Sequence, residues 1–277
     1  MTTHVAQRRL RDFVTLMFLP KAPCSAERLR PLSAAELAAM FDDSDLAQTW
    51  SEADARMQRA CPIEDRKTGG VNPGDRRAIW YLTKGLGAHC VLEIGTHVGA
   101  STMHIADALR GNAQRDPSRR PRLVTVDITD VNSEASGPWK QFGLAASPRQ
   151  TMQAIGCGDF VEFVTDNSVT FLDRCRERFD FIFLDGNHYA TTVYRELPRA
   201  LNLLNPGGAV LLHDYFPQNR PLWTNGSVVP GPFMAAARLR REGAGIDVLP
   251  LGDLPWRTKL GSNTTSLAVV ARRAALN

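Results

Sequence analysis

The chain reads as an α/β protein with a mostly parallel sheet and helices on both faces. Three observations predict this. Residues 90–109 give a short apolar run, a glycine turn and a helical pattern in succession. Further short apolar runs at 122–128, 160–166, 178–185 and 208–214 alternate with helical stretches, as right-handed β-α-β units require. Each of these runs ends in a polar or glycine residue, and ligands of open α/β sheets sit at the carboxyl ends of the strands.

The first unit organises the rest. Cys90, Val91, Leu92 and Ile94 surround one acid, Glu93, and the turn Gly95-Thr-His-Val-Gly99 leads into a helix from Ala100 to Leu109. Glycine lets a backbone approach a ligand closely, and the helix N-terminus offers free N–H groups beside it. The dinucleotide fingerprint G-x-G-x-x-G has a middle glycine that this chain replaces with His97.

Residues 1–67 are predicted to be a helical N-terminal extension, with 68–277 as the main domain. Ser33-x-x-Glu36 reads as a capping box, and Ser51-x-x-Asp54 as the start of a further helix ending near Cys61-Pro62. The extension suits a lid, a homodimer contact or packing on the sheet. The loop GGVNPG at 69–74 contains Asn72 as N-cap and Pro73 as first helical residue. Residues 111–121 read as a basic surface loop, and Asp127 closes the second strand, where an acid accepts hydrogen bonds from ribose hydroxyls. Ser147-Pro148 opens a helix running to Gly156, and Asp166, Asn167 and Ser168 stand at the exit of the third strand. A long helix from about Thr191 to Leu204 carries Pro198, a predicted kink, and 205–208 is predicted to terminate it. Two last strands follow, at 246–251 and 265–271.

Bulk properties narrow the function. With 277 residues, 43% hydrophobic, 22% charged and a net charge of +4, the chain is of ordinary globular composition and carries no electrostatic argument for nucleic acid. Five scattered cysteines without a C-x-x-C pair argue against a disulfide framework or structural zinc. The apolar run at 13–19 is too short to span a membrane, so a cytoplasmic protein without a membrane partner is expected.

The stretches VLEIGTHVGAST at 91–102, DGNHY at 185–189 and PGGAVLLHD at 206–214 resemble the class I methyltransferases that use S-adenosylmethionine (SAM). They are most similar to a small-molecule O-methyltransferase-like group with a D-G-x-H element; Tyr189 here directly follows the histidine, one place earlier than in that group. The resemblance implies a Rossmann-like seven-stranded sheet whose last strand inserts antiparallel. It implies that Glu93, Gly95, Thr96, Gly99 and Ser101 hold the methionine part of SAM, Asp127 the ribose, and Asp166, Asn167 and Ser168 the adenine, with Asp185 also at the cofactor.

Methyl transfer to a hydroxyl needs an aligned nucleophile and removal of its proton. Two routes fit. Asp185 and Asp214, with His213, form oxygen-rich ligands for Mg2+ or another divalent cation that lowers the acceptor's pKa. Histidine ligands tilt such a site toward manganese, iron or zinc, and Tyr215 stands where catechol-type relatives have asparagine. Alternatively, His188 is a metal-free general base oriented by Asp185. Positioning alone is a third reading. The expected partner is a small-molecule acceptor, with Trp139, Phe142, Phe216, Trp223 and Phe233 as aromatic candidates for its pocket. Competing classes are an NAD(P)-dependent oxidoreductase, a non-catalytic SAM-fold subunit, and a hydroxylase-like or aminopropyl-transferring variant.

Overall fold

The computed structural model describes residues 3–61 and 70–273. The expected boundary between 67 and 68, with Pro62 and Gly69, lies outside the described residues. The strands β1 (Cys90–Ile94), β2 (Arg122–Asp127), β3 (Val161–Thr165), β4 (Phe179–Leu184), β5 (Leu204–Leu212), β6 (Ile246–Pro250) and β7 (Ala268–Arg272) form one sheet in the order β3-β2-β1-β4-β5-β7-β6. β1–β2, β2–β3 and β4–β5 pair in parallel, and β7 pairs antiparallel with both β5 and β6. This is the seven-stranded, mostly parallel arrangement expected, including the antiparallel last strand.

The chain forms two compact units, Ala35–Ser168 and Met1–Ala34 with Val169–Asn277. In the first, helix α2 (Ala34–Phe41) begins immediately after Ser33, and α3 (Ser44–Ala60) follows. Ser51 lies inside α3 rather than at its start. Asp43 caps that helix, accepting from the N–H groups of Asp45 and Leu46, and so begins it eight residues before the expected cap. α4 (Pro73–Gly85) starts as predicted, with Asn72 accepting from the Asp75 N–H at 3.1 Å. α5 (Ala100–Arg115) overruns the expected end at Leu109. Asn112 is the reason: its side-chain amide donates to the carbonyls of Thr83 (2.9 Å) and Ala88 (2.8 Å), burying a turn that reads as polar loop.

A buried polar network joins these helices. Asp107 accepts from Arg56 (2.6 Å), from Trp80 Nε1 (3.0 Å) and from Arg110. Trp50 packs edge-on against Trp80 and stacks on His104. His104 is only 2% exposed, and burial, then the charge of Arg76, pushes its pKa down to about 3 against the opposing Ala100 carbonyl. The unfolded chain therefore binds a proton at this site below its usual pKa, while the folded chain stays neutral until about 3. Stability is fully present above the unfolded pKa and falls as the pH drops toward 3. At pH 5 the loss from this group is roughly 2 kcal/mol. Urea midpoints at pH 7.5 and pH 5 are expected to differ more for the wild type than for His104→Leu.

The second unit holds α1 (Thr3–Met17), β4 to β7, α9 (Ala190–Asn202) and α10 (Gly231–Arg241). Ahead of β4 come the short helices α6 (Pro138–Gln141) and α7 (Pro148–Ala154) of the first unit, and α8 (Ser168–Arg174), which starts where that unit ends. α7 opens on the capping box of Ser147 and Gln150 at the position expected. α9 runs as one helix through Pro198. It stops at Asn202, and 205–208 belongs to β5 rather than to a terminator. Phe179 pairs with Leu204 but Phe181 with Ala209, so residues 205–208 form a bulge opposite Asp180. Gly207 supplies the left-handed φ of 81° that the bulge needs. Arg238 donates to the carbonyls of Leu16 and Leu19, and the Tyr194 hydroxyl accepts from Ala22 N–H at 2.9 Å, tying the chain after α1 to α9 and α10. Among the described residues, no helix is long and apolar enough to cross a membrane.

Candidate active site

The glycine turn after β1 is held by two carboxylates. Asp127, at the end of β2, accepts the backbone N–H of Thr96 (3.1 Å) and of His97 (2.9 Å) on Oδ2. Its Oδ1 accepts the N–H (3.0 Å) and hydroxyl (2.9 Å) of Thr129. Gly95 and Gly99 take φ of 101° and 80°, and His97 itself sits at 50°. A Cβ at Gly99 would meet Pro148 at 3.0 Å and would have to adopt the left-handed φ, so a side chain there is strained on both counts.

Glu93 lies under the turn, fully buried. It accepts from Ser101 (2.5 Å) on one oxygen, and from Thr102 (2.5 Å) and Thr125 (2.6 Å) on the other. Thr125 stands opposite Glu93 in the β1–β2 register. Its single proton goes to Glu93, so the 2.6 Å contact with Thr96 has Thr96 as donor. Thr102 and Thr125 were not singled out from the sequence. A threonine inside the apolar run LVTVD was the available signal, because a buried hydroxyl needs a partner. Ser101 is in the same network, its hydroxyl turned toward Glu93. Asp166 follows β3; its N–H donates to the Asp127 carbonyl at 2.9 Å, and its Oδ1 accepts from Asn167 N–H at 2.8 Å. Ser168 is the first residue of α8.

In the second unit a separate cluster stands at the exits of β4 and β5. His213 Nδ1 is 2.7 Å from Asp185 Oδ1, and His188 Nε2 is 3.6 Å from the same oxygen and 3.7 Å from Asp214 Oδ2. The closest imidazole to Asp185 is thus His213, not His188. Ligand atoms of Asp185, His188 and His213 all lie within 4.8 Å of one another. Asp214 takes a left-handed φ of 52°, a conformation that costs a non-glycine residue about 1–3 kcal/mol and clusters at functional sites. Burial raises the Asp214 pKa, but His213, His188, Lys259 and the Ser266 hydroxyl outweigh it and leave the carboxyl below its ordinary value. Asn187 shapes the loop, accepting from Tyr189 N–H at 2.9 Å.

Of the aromatic candidates, Phe216 and Trp223 pack on each other and on Val228 in a small core, and Trp139 is buried. Phe142 lies edge-on to His97. Phe233 packs on Tyr215 and lines a cavity.

Residues 92–215 match the methyltransferase domain family Methyltransf_24. The structure is similar to that of the O-methyltransferase TomG of Streptomyces achromogenes, involved in tomaymycin synthesis and solved with SAM (17% identity, 99% of this chain and 100% of that chain, TM-score 0.51). It is also similar to an O-methyltransferase from Bacillus cereus with S-adenosylhomocysteine (18%, 97% and 100%, TM-score 0.51). A third likeness is to the methyltransferase PaMTH1 of Podospora anserina, also bound to S-adenosylhomocysteine (18%, 92% and 100%, TM-score 0.51). At these identities the likeness is one of fold. Residues 92–215 thus match a methyltransferase domain, and the seven-stranded sheet shares its fold with these SAM- and S-adenosylhomocysteine-bound proteins.

Proposed function

We propose that this protein transfers the methyl group of SAM to a hydroxyl of a small-molecule acceptor, assisted by a divalent cation. The observation that carries the proposal is the convergence of Asp185, His188, His213 and Asp214 at the exits of β4 and β5. Two carboxylates and two imidazoles fit a divalent ion, and the imidazoles favour manganese, iron or zinc over magnesium. Asp185, His188 and His213, whose ligand atoms lie within 4.8 Å of one another, would hold it, with Asp214 beside them. When bound, the cation supplies Lewis acidity that lowers the acceptor's pKa, and SAM supplies the electrophilic methyl group.

The chain's own residues would do the rest. The turn from Gly95 to Gly99 presents backbone to the methionine part of the cofactor, with Glu93, Thr96 and Ser101 fixing its shape. Asp127 takes the ribose side, and Asp166, Asn167 and Ser168 the adenine side. Asp185 and His188 orient the acceptor hydroxyl and receive its proton at His188 Nε2 if no cation intervenes. The test is product mass. Incubation with SAM and a panel of hydroxylated aromatics is expected to give a product heavier by one methyl group. A product heavier by an aminopropyl group or by one oxygen, or turnover of NADH instead, would contradict the reading.

A further inference from the structure

The second unit contains a cavity of about 440 Å3 that is separate from the Asp–His cluster. α1 supplies Leu10, Phe13 and Leu16 to its wall, and α10 supplies Phe233, Met234 and Ala237. Its volume is in the range of small-molecule pockets. Two residues break the apolar lining. Asn219 is 8% exposed, and its Oδ1 is buried without a hydrogen-bond partner among the described residues. Its backbone is held at φ 54°, beside Gln218 at 55°. Arg241 lines the cavity and is exposed, whereas Arg238 and Arg240 on the same helix are paired with Glu242 and Asp247.

The cavity adjoins the cluster along the chain. Phe233 packs at 5.7 Å on Tyr215, the residue after Asp214. Pro232, one residue before Phe233, lines a narrow cleft with His188 and His213. α1 reaches the same loop, with the Arg11 guanidinium 4.4 Å over the Tyr189 ring.

We propose that this cavity seats the non-reacting part of the methyl acceptor, and that the acceptor is an amphipathic anion. Its apolar skeleton lies in the space between α1 and α10, and a carboxylate or sulfate meets Arg241. The proposal rests on the methyl-transfer reading only for the identity of the ligand as acceptor.

The test uses two fluorescent probes, 6-hydroxy-2-naphthoate and neutral 2-naphthol, titrated into the full chain with SAM titrated in parallel. The wild type is expected to bind the naphthoate about tenfold tighter than the naphthol. Arg241→Gln abolishes that difference, and Ala237→Trp, whose indole occupies part of the space between α1 and α10, weakens both probes by about tenfold or more. SAM affinity stays unchanged in both variants. Equal affinity of the wild type for the two probes, or unchanged probe binding in Ala237→Trp, overturns the proposal. So does a halved mass in light scattering for Ala237→Trp with its probe affinity intact, which would assign the face to a second copy. If the wild type binds the probes as described but not SAM, the methyl-transfer reading fails and the cavity stands as a site for apolar anions.

Discussion

Glu93→Leu is expected to destabilise the fold by about 3 kcal/mol or more, since each buried donor left without an acceptor costs about 1–3 kcal/mol and three are left. Leucine matches the volume of the site and is content in its apolar surroundings. The hydroxyls of Ser101, Thr102 and Thr125, however, all donate to Glu93 and would be left in a buried site without their acceptor. Thr96 donates to Thr125 in turn, so the loss reaches the glycine turn itself. Urea denaturation measures the cost, and Glu93→Gln provides the comparison, because the amide keeps one acceptor oxygen and presents a donor to the other hydroxyls. The order of stability is expected to be wild type, then Glu93→Gln, then Glu93→Leu. Equal stability of Glu93→Leu and the wild type would show that the hydroxyls find other partners and that the acid is not what holds the turn.

Gly231→Ala is expected to disturb the Asp–His cluster from outside it. Gly231 opens α10, where alanine ordinarily gains up to about 1 kcal/mol of helix propensity over glycine. Here a Cβ would overlap the carbonyl oxygen of His188 and come within 2.7 Å of Ala190 N and 2.9 Å of Tyr189 C. All three are backbone atoms, so no flexible side chain can yield, and the loop carrying His188 must move. Such overpacking costs about 1–3 kcal/mol, which reverses the propensity gain. The larger effect is expected in divalent-cation affinity, down by about tenfold or more, because ligand sets tolerate displacements of only about 0.2 Å. Manganese titration by calorimetry reads this directly. A variant more stable than the wild type, with unchanged ion affinity, would mean that the loop is slack at His188.

The strands were legible because β1, β2, β4 and β5 read as apolar runs buried through most of their length, each with a glycine, an acid or a histidine at its exit. The cluster of Asp185, His188, His213 and Asp214 was legible for the same reason, since neighbouring parallel strands bring their ends together. Helix ends were less so. Asn112 reads as a loop residue until Thr83 and Ala88 are placed against it, and Asp43 competes with Ser51 as a cap on purely local grounds. The bulge at 205–208 reads as a turn because Pro206 and Gly207 are turn residues wherever they occur. The bond from Thr125 to Glu93 and the pairing of α1 with α10 across the cavity join residues far apart in sequence, and no local spacing places them together.

Calorimetric titration of the metal-free protein with SAM, repeated after addition of manganese and with Asp185→Ala, tests the central claim most directly. SAM is expected to bind the wild type, with a separate divalent-ion heat that Asp185→Ala removes because His213 loses its 2.7 Å neighbour and the ion a carboxylate. SAM binding with no ion heat in either protein would contradict the cation and leave His188 as the base. No SAM binding under any of these conditions would contradict the account of the glycine turn, and with it the methyl-transfer function.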